Sequence, residues 1–140
     1  MLERLQRLGV TVLRTATITQ GAIQLIGIDD SEDPSQVERE IARLDIYPKR
    51  FVLLIYHRPW SLAAAAAAGV DLMISGHTHN GQIVPFNLVV KNVFEQIVGL
   101  FTHSETKLYV STGTGTWGPV MRLGSRGEVT SFEVLPAGAA

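Results

Sequence analysis

Three histidines carry the clearest chemical signal in the chain. His57 ends the apolar run RFVLLIYH, and His77 and His79 stand one residue apart in SGHTHNGQ, directly after the apolar run VDLMIS. Clustered imidazoles suit Zn, Mn, Fe, Ni or Co better than Mg or Ca, which prefer oxygen shells. One residue between His77 and His79 makes it awkward for both to reach a single ion from a strand. The spacing is natural if each serves a different ion of a close pair. Gly76 and Gly81 would let the turn bend tightly and approach a ligand. The plainer reading of a single histidine at a strand end is an ordinary hydrogen-bonded residue, so the argument rests on the three being placed together.

The elements around them supply that placement. RFVLLIYH is a continuous apolar run of strand length, suited to burial on both faces. RPWSLAAAAAAG predicts a short helix that starts near Pro59 or Ser61 and stops at Gly69, with alanines that favour helix and pack closely on a sheet. VDLMIS predicts a second buried strand. Strand, helix, strand at this length is a βαβ unit with parallel strands and a right-handed crossover. Both strands then end on one edge of the sheet, the edge where α/β proteins build their sites. His57 and His77, 20 residues apart in sequence, are therefore expected to be neighbours in space, with His79 on the same turn.

The rest of the chain alternates helices and strands, which indicates the α/β or α+β class. LERLQRL predicts a helix closed by Gly9. TVLRTATIT and AIQLIGI predict two strands around Gln20-Gly21. PSQVEREIARL predicts a helix capped by Asp33 or Ser35, with Val37, Ile41 and Leu44 on one face. Over residues 86–101 the apolar residues Val90, Val93, Phe94, Ile97, Val98 and Phe101 recur at helical spacing and predict one amphipathic helix. KLYVSTG predicts a strand, TGTWGP a turn, and RLGSRGEVTSFEVL a closing strand or hairpin. Residues 1–136 are taken as one partial domain and 137–140 as a loose tail.

Composition narrows the classes. The 140 residues are 46% hydrophobic, with 12 basic against 13 acidic side chains and a net charge of −1. No Lys/Arg cluster is present, which argues against a nucleic-acid partner. With no cysteine, thiolate metal sites and disulfides are excluded. The N-terminal residues do not read as a signal peptide, and no apolar run reaches the roughly 18–20 residues of a spanning helix.

Weaker signals surround the histidines. Arg58 and Arg122 could grip a substrate phosphate in bidentate fashion, although a structural or solvated arginine is the simpler reading of each. Asn80 and Gln82 could orient the histidine turn or touch substrate. Asp29 and Asp30 also follow a strand, but capping explains them. Gly113-Thr114-Gly115-Thr116-Trp117-Gly118 matches a dinucleotide fingerprint in letters only, because Pro119 denies the helix that must open there. Thr112–Thr114 would instead flank the site. His103 reads as a surface residue.

SGHTHNGQ resembles the Gly-His-x-His motif of calcineurin-like metallophosphoesterases, and LLIYHRP resembles that family's strand ending in a metal-binding histidine. QIVPFNLVVK and YVSTGTGTWGPVMRLGSRGEVTSFEV are similar to a bacterial branch whose members are often membrane-associated or exported. The likeness spans roughly residues 9 to 135. It implies a fold of α/β class, the C-terminal half of a metallophosphoesterase sandwich with two mixed sheets flanked by helices. It implies two divalent ions (Mn, Fe or Zn), with His57 and His77 on one and His79 on the other. It implies hydrolysis of a phosphomonoester or phosphodiester, of small-molecule or lipid type. The family's Asp-x-His, Gly-Asp and Gly-Asn-His motifs do not occur in the chain, so the site is expected to be incomplete, with no catalytic residue identifiable. A three-histidine mononuclear site is the remaining metal arrangement. The alternative is an inactive fragment or interaction module retaining a partial histidine site. Residues 86–101 are expected to pack against the domain, with shallow peripheral membrane contact as the alternative reading, in which one Lys and one Glu would give only weak attraction to anionic lipid; self-association through uncovered apolar faces is a further expectation, and the compartment stays open.

Overall fold

The computed structural model describes residues 2–136; the tail expected at 137–140 lies outside the described residues. The chain opens with helix α1 (Leu2–Arg7), then forms the hairpin β1 (Ala16–Gln20) and β2 (Ile23–Gly27) around Gly21. Residues 11–15 were expected to extend β1 and do not. Thr15 has a left-handed backbone at φ 46°, which ends the extended run, and Leu13 packs on Gly27 instead. Helix α2 (Gln36–Ile41) follows. Ser35 stands at its N-cap but makes no capping bond. Asp33 does the work, accepting from the Ser35 amide at 2.9 Å and from the Arg39 guanidinium at 2.7 Å.

The βαβ unit forms as expected: β3 (Phe51–Ile55), α3 (Leu62–Ala67) and β4 (Leu72–Ser75), with β3 and β4 parallel. Gly69 at φ 85° ends the alanine helix. Helix α4 (Phe86–Val93) covers only the first half of the predicted amphipathic run. At Phe94 the backbone becomes extended, because that ring turns inward to stack on Trp60. The second half of the run becomes β5 (Gly99–His103), the antiparallel partner of β6 (Thr106–Val110). His103 is exposed at the end of β5, as expected.

One six-stranded mixed sheet results, in the order β1-β2-β3-β4-β6-β5. The four inner strands are parallel, and each edge carries an antiparallel strand. The α/β class and mixed sheet stand, but the described residues hold one sheet rather than two. The predicted closing strand over 122–135 is also absent. β6 is already paired on both sides, by β4 and β5, so no edge beside it is free for another strand. Leu123 makes only an isolated bridge to Ile83, and Phe132 packs its ring against Tyr109.

Alternation along the strands divides the sheet into two unequal faces. Val52, Leu54 and Tyr56 of the β3 segment, Met73 of β4, and Leu108 and Val110 of β6 point to one side, where they form a core with Val37, Ile41 and Ala65 from α2 and α3. The expectation that β3 is buried on both faces therefore fails. Phe51 and Leu53 are only partly covered, and Ile55 is 47% exposed.

Candidate functional site

Parallel register carries the first two histidines together. Ile55 of β3 lies opposite Ile74 of β4, and pairing continues past the strand ends: the Gly76 amide donates to the His57 carbonyl at 3.0 Å. His57 Nε2 then lies 3.0 Å from His77 Nδ1, with the rings edge to face and their centroids 4.9 Å apart. Phe94 closes the other side of the His77 ring, 5.2 Å between centroids. Burial, followed by the charges of Arg58 and His57, holds the His77 imidazole below its ordinary pKa. A neutral imidazole is the form that ligates a metal.

The turn after β4 is strained. His77, His79, Asn80 and Gln82 all have φ between 49° and 69°, a region that side chains other than Gly rarely adopt. Thr78 braces it by donating to the Ile97 carbonyl at 2.6 Å. Gly81, also at φ 73°, is there for packing rather than for ligand approach: a Cβ would fall 2.2 Å from Asn87 Cα of α4. Gly76 has no such constraint, since its nearest contact would be 3.8 Å away.

His79 borders the same cavity but makes its own contacts. Its Nδ1 is 3.3 Å from Arg122 Nη2, and its carbonyl accepts from Ser125 Oγ at 2.8 Å. Burial and then the Arg122 charge lower the His79 pKa. Among the described residues no group of three or more His, Asp or Glu could hold a metal ion, so the mononuclear three-histidine arrangement is not formed. The donor chemistry does fit part of a metal site. Two imidazole nitrogens 3.0 Å apart match neighbouring ligands of one ion, given metal–nitrogen bonds of about 2.1 Å. A third donor is missing among the described residues.

The other sequence candidates have local partners. Arg58 forks onto the Asp30 carboxylate at 2.9 and 3.3 Å and lies over Trp60. Asp29 pairs with Arg14 at 2.9 Å, so the two aspartates make ion pairs rather than caps. Arg122 is held by main-chain acceptors, the carbonyls of Thr112 (2.9 Å) and Gly113 (3.2 Å) among them. Thr112 thus flanks His79 through its backbone. Asn80 contributes a left-handed turn position, its amide donating to Thr78 Oγ1. The buried Gln82 amide pins the next loop, donating to the Trp117 and Pro119 carbonyls and accepting from the Trp117 amide. A cavity of about 410 Å³ opens between these parts, bordered by His57, Arg58, His77, His79, Phe94 and Trp117. Its aromatic walls, Phe86, Phe94 and Trp117, were missed in the sequence; Trp60, three residues after His57, stacks on Phe94 from behind.

Comparison with known proteins gives the family of the chain. An uncharacterized metallophosphoesterase of Helicobacter pylori strain J99 is 31% identical over 97% of this chain and 38% of its own length. The uncharacterized metallophosphoesterase Cj0846 of Campylobacter jejuni is 34% identical over 84% of this chain and 33% of its own. A Bos taurus transmembrane protein with a metallophosphoesterase domain is 37% identical over 79% of this chain and 27% of its own. The chain thus spans less than two fifths of these three relatives. No protein-family model matches the chain. No solved structure gives a significant match. By its sequence the chain belongs to the metallophosphoesterases, hydrolases that depend on divalent metal ions, as a region covering part of their length.

Proposed function

We propose that this region contributes one side of a dinuclear metal centre that hydrolyses a phosphoester, with His57 and His77 on one ion and His79 on the other. The observation that carries the reading is the 3.0 Å approach of His57 Nε2 to His77 Nδ1 at the carboxyl edge of β3 and β4. Bound divalent ions supply positive charge that offsets the negative charge gathering on the phosphoryl oxygens. The chain's own residues orient and exclude. Phe94 holds the His77 ring, Arg122 and Ser125 hold the His79 turn, and the aromatic walls keep water away from one side of the cavity. Arg58 and Asn80 stand beside the histidines as the residues proposed to meet the substrate. Arg122 has the second role of shaping the loop.

Three histidines without a carboxylate are an incomplete donor set for two ions. The remaining ligands are proposed to lie in the part of the relatives' length that this chain does not span. In the 140-residue chain we expect at most one weak ion and little hydrolysis. Calorimetric titration with Mn²⁺ or Zn²⁺ tests this, and two tight sites would overturn it. In a protein that spans the full length of the relatives, His77→Ala is expected to lower hydrolysis of bis-p-nitrophenyl phosphate by about a hundredfold or more. Unchanged turnover there would remove the assignment. The name of the Bos taurus relative places its domain in a membrane protein. We extend that setting here, with a phosphoester presented at a lipid surface as the favoured substrate class.

A further inference from the structure

The His77 imidazole stands at a left-handed turn position, φ 69°, and among the described residues its ring nitrogens have one side-chain partner, His57 Nε2. What packs on the ring therefore decides where Nδ1 points. Phe94 meets it edge to face, with centroids 5.2 Å apart and planes at 66°. Phe94 is buried where α4 gives way to extended backbone, and its ring stacks on Trp60, 5.3 Å between centroids and 18° between planes. The Arg58 guanidinium carbon lies 5.2 Å from the centroid of the Trp60 ring. Arg58 is held in turn by Asp30, whose carboxylate accepts from Nε at 2.9 Å and from Nη2 at 3.3 Å. The Arg58 side chain is 14% exposed and that of Asp30 40%, so the guanidinium lies inside and the carboxylate at the outer end.

These contacts form one column drawn from four elements. Asp30 follows β2, Arg58 and Trp60 follow β3, Phe94 ends α4, and His77 follows β4. Planar groups stacked in this way transmit direction as well as volume. An offset stack fixes the plane of the next ring, and an edge-to-face contact fixes its tilt. A cation over an indole is held by the negative face of the ring. An aliphatic side chain of similar bulk would fill the space and leave the ring angles free. Trp60 is not among the residues that border the cavity, so the column is its route to the histidines.

We propose that Trp60 is a positioning residue for the His57–His77 pair: through Phe94 it sets the angle at which His77 turns Nδ1 toward His57 Nε2, with the Asp30–Arg58 ion pair as its anchor. The purpose of that angle rests on the phosphoesterase reading, since two imidazole nitrogens serve one ion only when their lone pairs converge.

Proton NMR of the 140-residue chain in EDTA reads the angle without metal or turnover. In the parent, nuclear Overhauser contacts are expected between the two imidazoles and between His77 and Phe94. Trp60→Leu should lose the contacts between the imidazoles and shift the His77 ring protons. Trp60→Phe, which keeps a planar ring in the stack, should retain the contacts. Asp30→Asn removes the anchor at a partly exposed ion pair, so the fold should persist. It should move the His77 ring protons in the same direction as Trp60→Leu by a smaller amount, and it decides the matter if Trp60→Leu does not fold. Three outcomes overturn the proposal. Trp60→Leu keeps the contacts of the parent; Trp60→Phe loses them as fully as Trp60→Leu; or Asp30→Asn leaves the His77 ring unmoved. Each of these leaves the phosphoesterase reading standing, because the imidazoles of the parent still meet. A parent with no contact between them removes both.

Discussion

Gly81 and Gly76 flank the same histidine turn, yet their surroundings differ sharply. At Gly81 a methyl group would meet Asn87 Cα at 2.2 Å on a backbone with φ 73°. At Gly76 it would meet only the Ser111 carbonyl at 3.8 Å. Gly81→Ala should therefore destabilise the fold by about 3 kcal/mol or more, through overlap and left-handed strain together. Gly76→Ala should change it by less than about 1 kcal/mol. Urea unfolding of the two variants checks the contrast, and equal losses would contradict the packing described. At this scale the sequence was legible where residue type fixes role. His57 and His77 were paired from strand logic alone. The orientation of His79 was not legible, because it depends on Arg122, 43 residues downstream, whose guanidinium sits 3.3 Å from the imidazole. Gln82 was equally hidden: glutamine in a turn looks solvent-bound, and only the folded loop shows its amide joined to Trp117 and Pro119.

Elements were easiest to read where propensity, pattern and punctuation agreed. β3, α3 and β4 follow from an apolar run, an alanine run stopped by Gly69, and a second apolar run. The stretch after Pro85 misled, because helical periodicity persists through residues that belong to a loop and an edge strand. Backbone pairing with β6 decides the fate of residues 99–103, and periodicity cannot report a partner that lies elsewhere in the chain. Helix α2 makes a prediction of its own. The Arg39 guanidinium, then the Ser35 hydroxyl and amide, hold the Asp33 carboxyl down at about 2. A carboxyl lowered in the folded state stabilises the fold above its unfolded value of 3.8, and that contribution is lost as pH falls from there toward 2. Asp33→Asn should thus lower the urea midpoint at pH 6, and the difference from the parent should shrink as the pH approaches 2. Because the group is exposed, the effect should also weaken in high salt. A difference independent of pH would assign Asp33 a purely steric role.

Among the described residues, the sheet is covered on one side and only partly covered on the other, where Leu72 is buried but Ile55 is not. α2 and α3 cover Val52, Leu54 and Met73, while Ile55 on the opposite face stays 47% exposed and Phe51 and Leu53 are only partly covered. This asymmetry was the least legible feature in the sequence. A continuous apolar run carries the same letters whether one face or two will be covered, and what covers a face is set by the rest of the chain. An uncovered apolar face favours association. Sedimentation velocity of the 140-residue chain should show mass rising with concentration, and Ile55→Lys should shift it toward monomer by about tenfold in dissociation constant. A chain that stays monomeric at all concentrations would remove this expectation.

The chain has two tryptophans: Trp117 forms part of the wall of the histidine cavity, and Trp60 stands behind it, stacked on the Phe94 that buttresses His77. No indole elsewhere dilutes the signal. The intrinsic ultraviolet emission of this protein is therefore a built-in optical gauge of that one cavity, read without labels. Quenching by a paramagnetic ion such as Cu²⁺ would report occupancy beside the imidazoles directly.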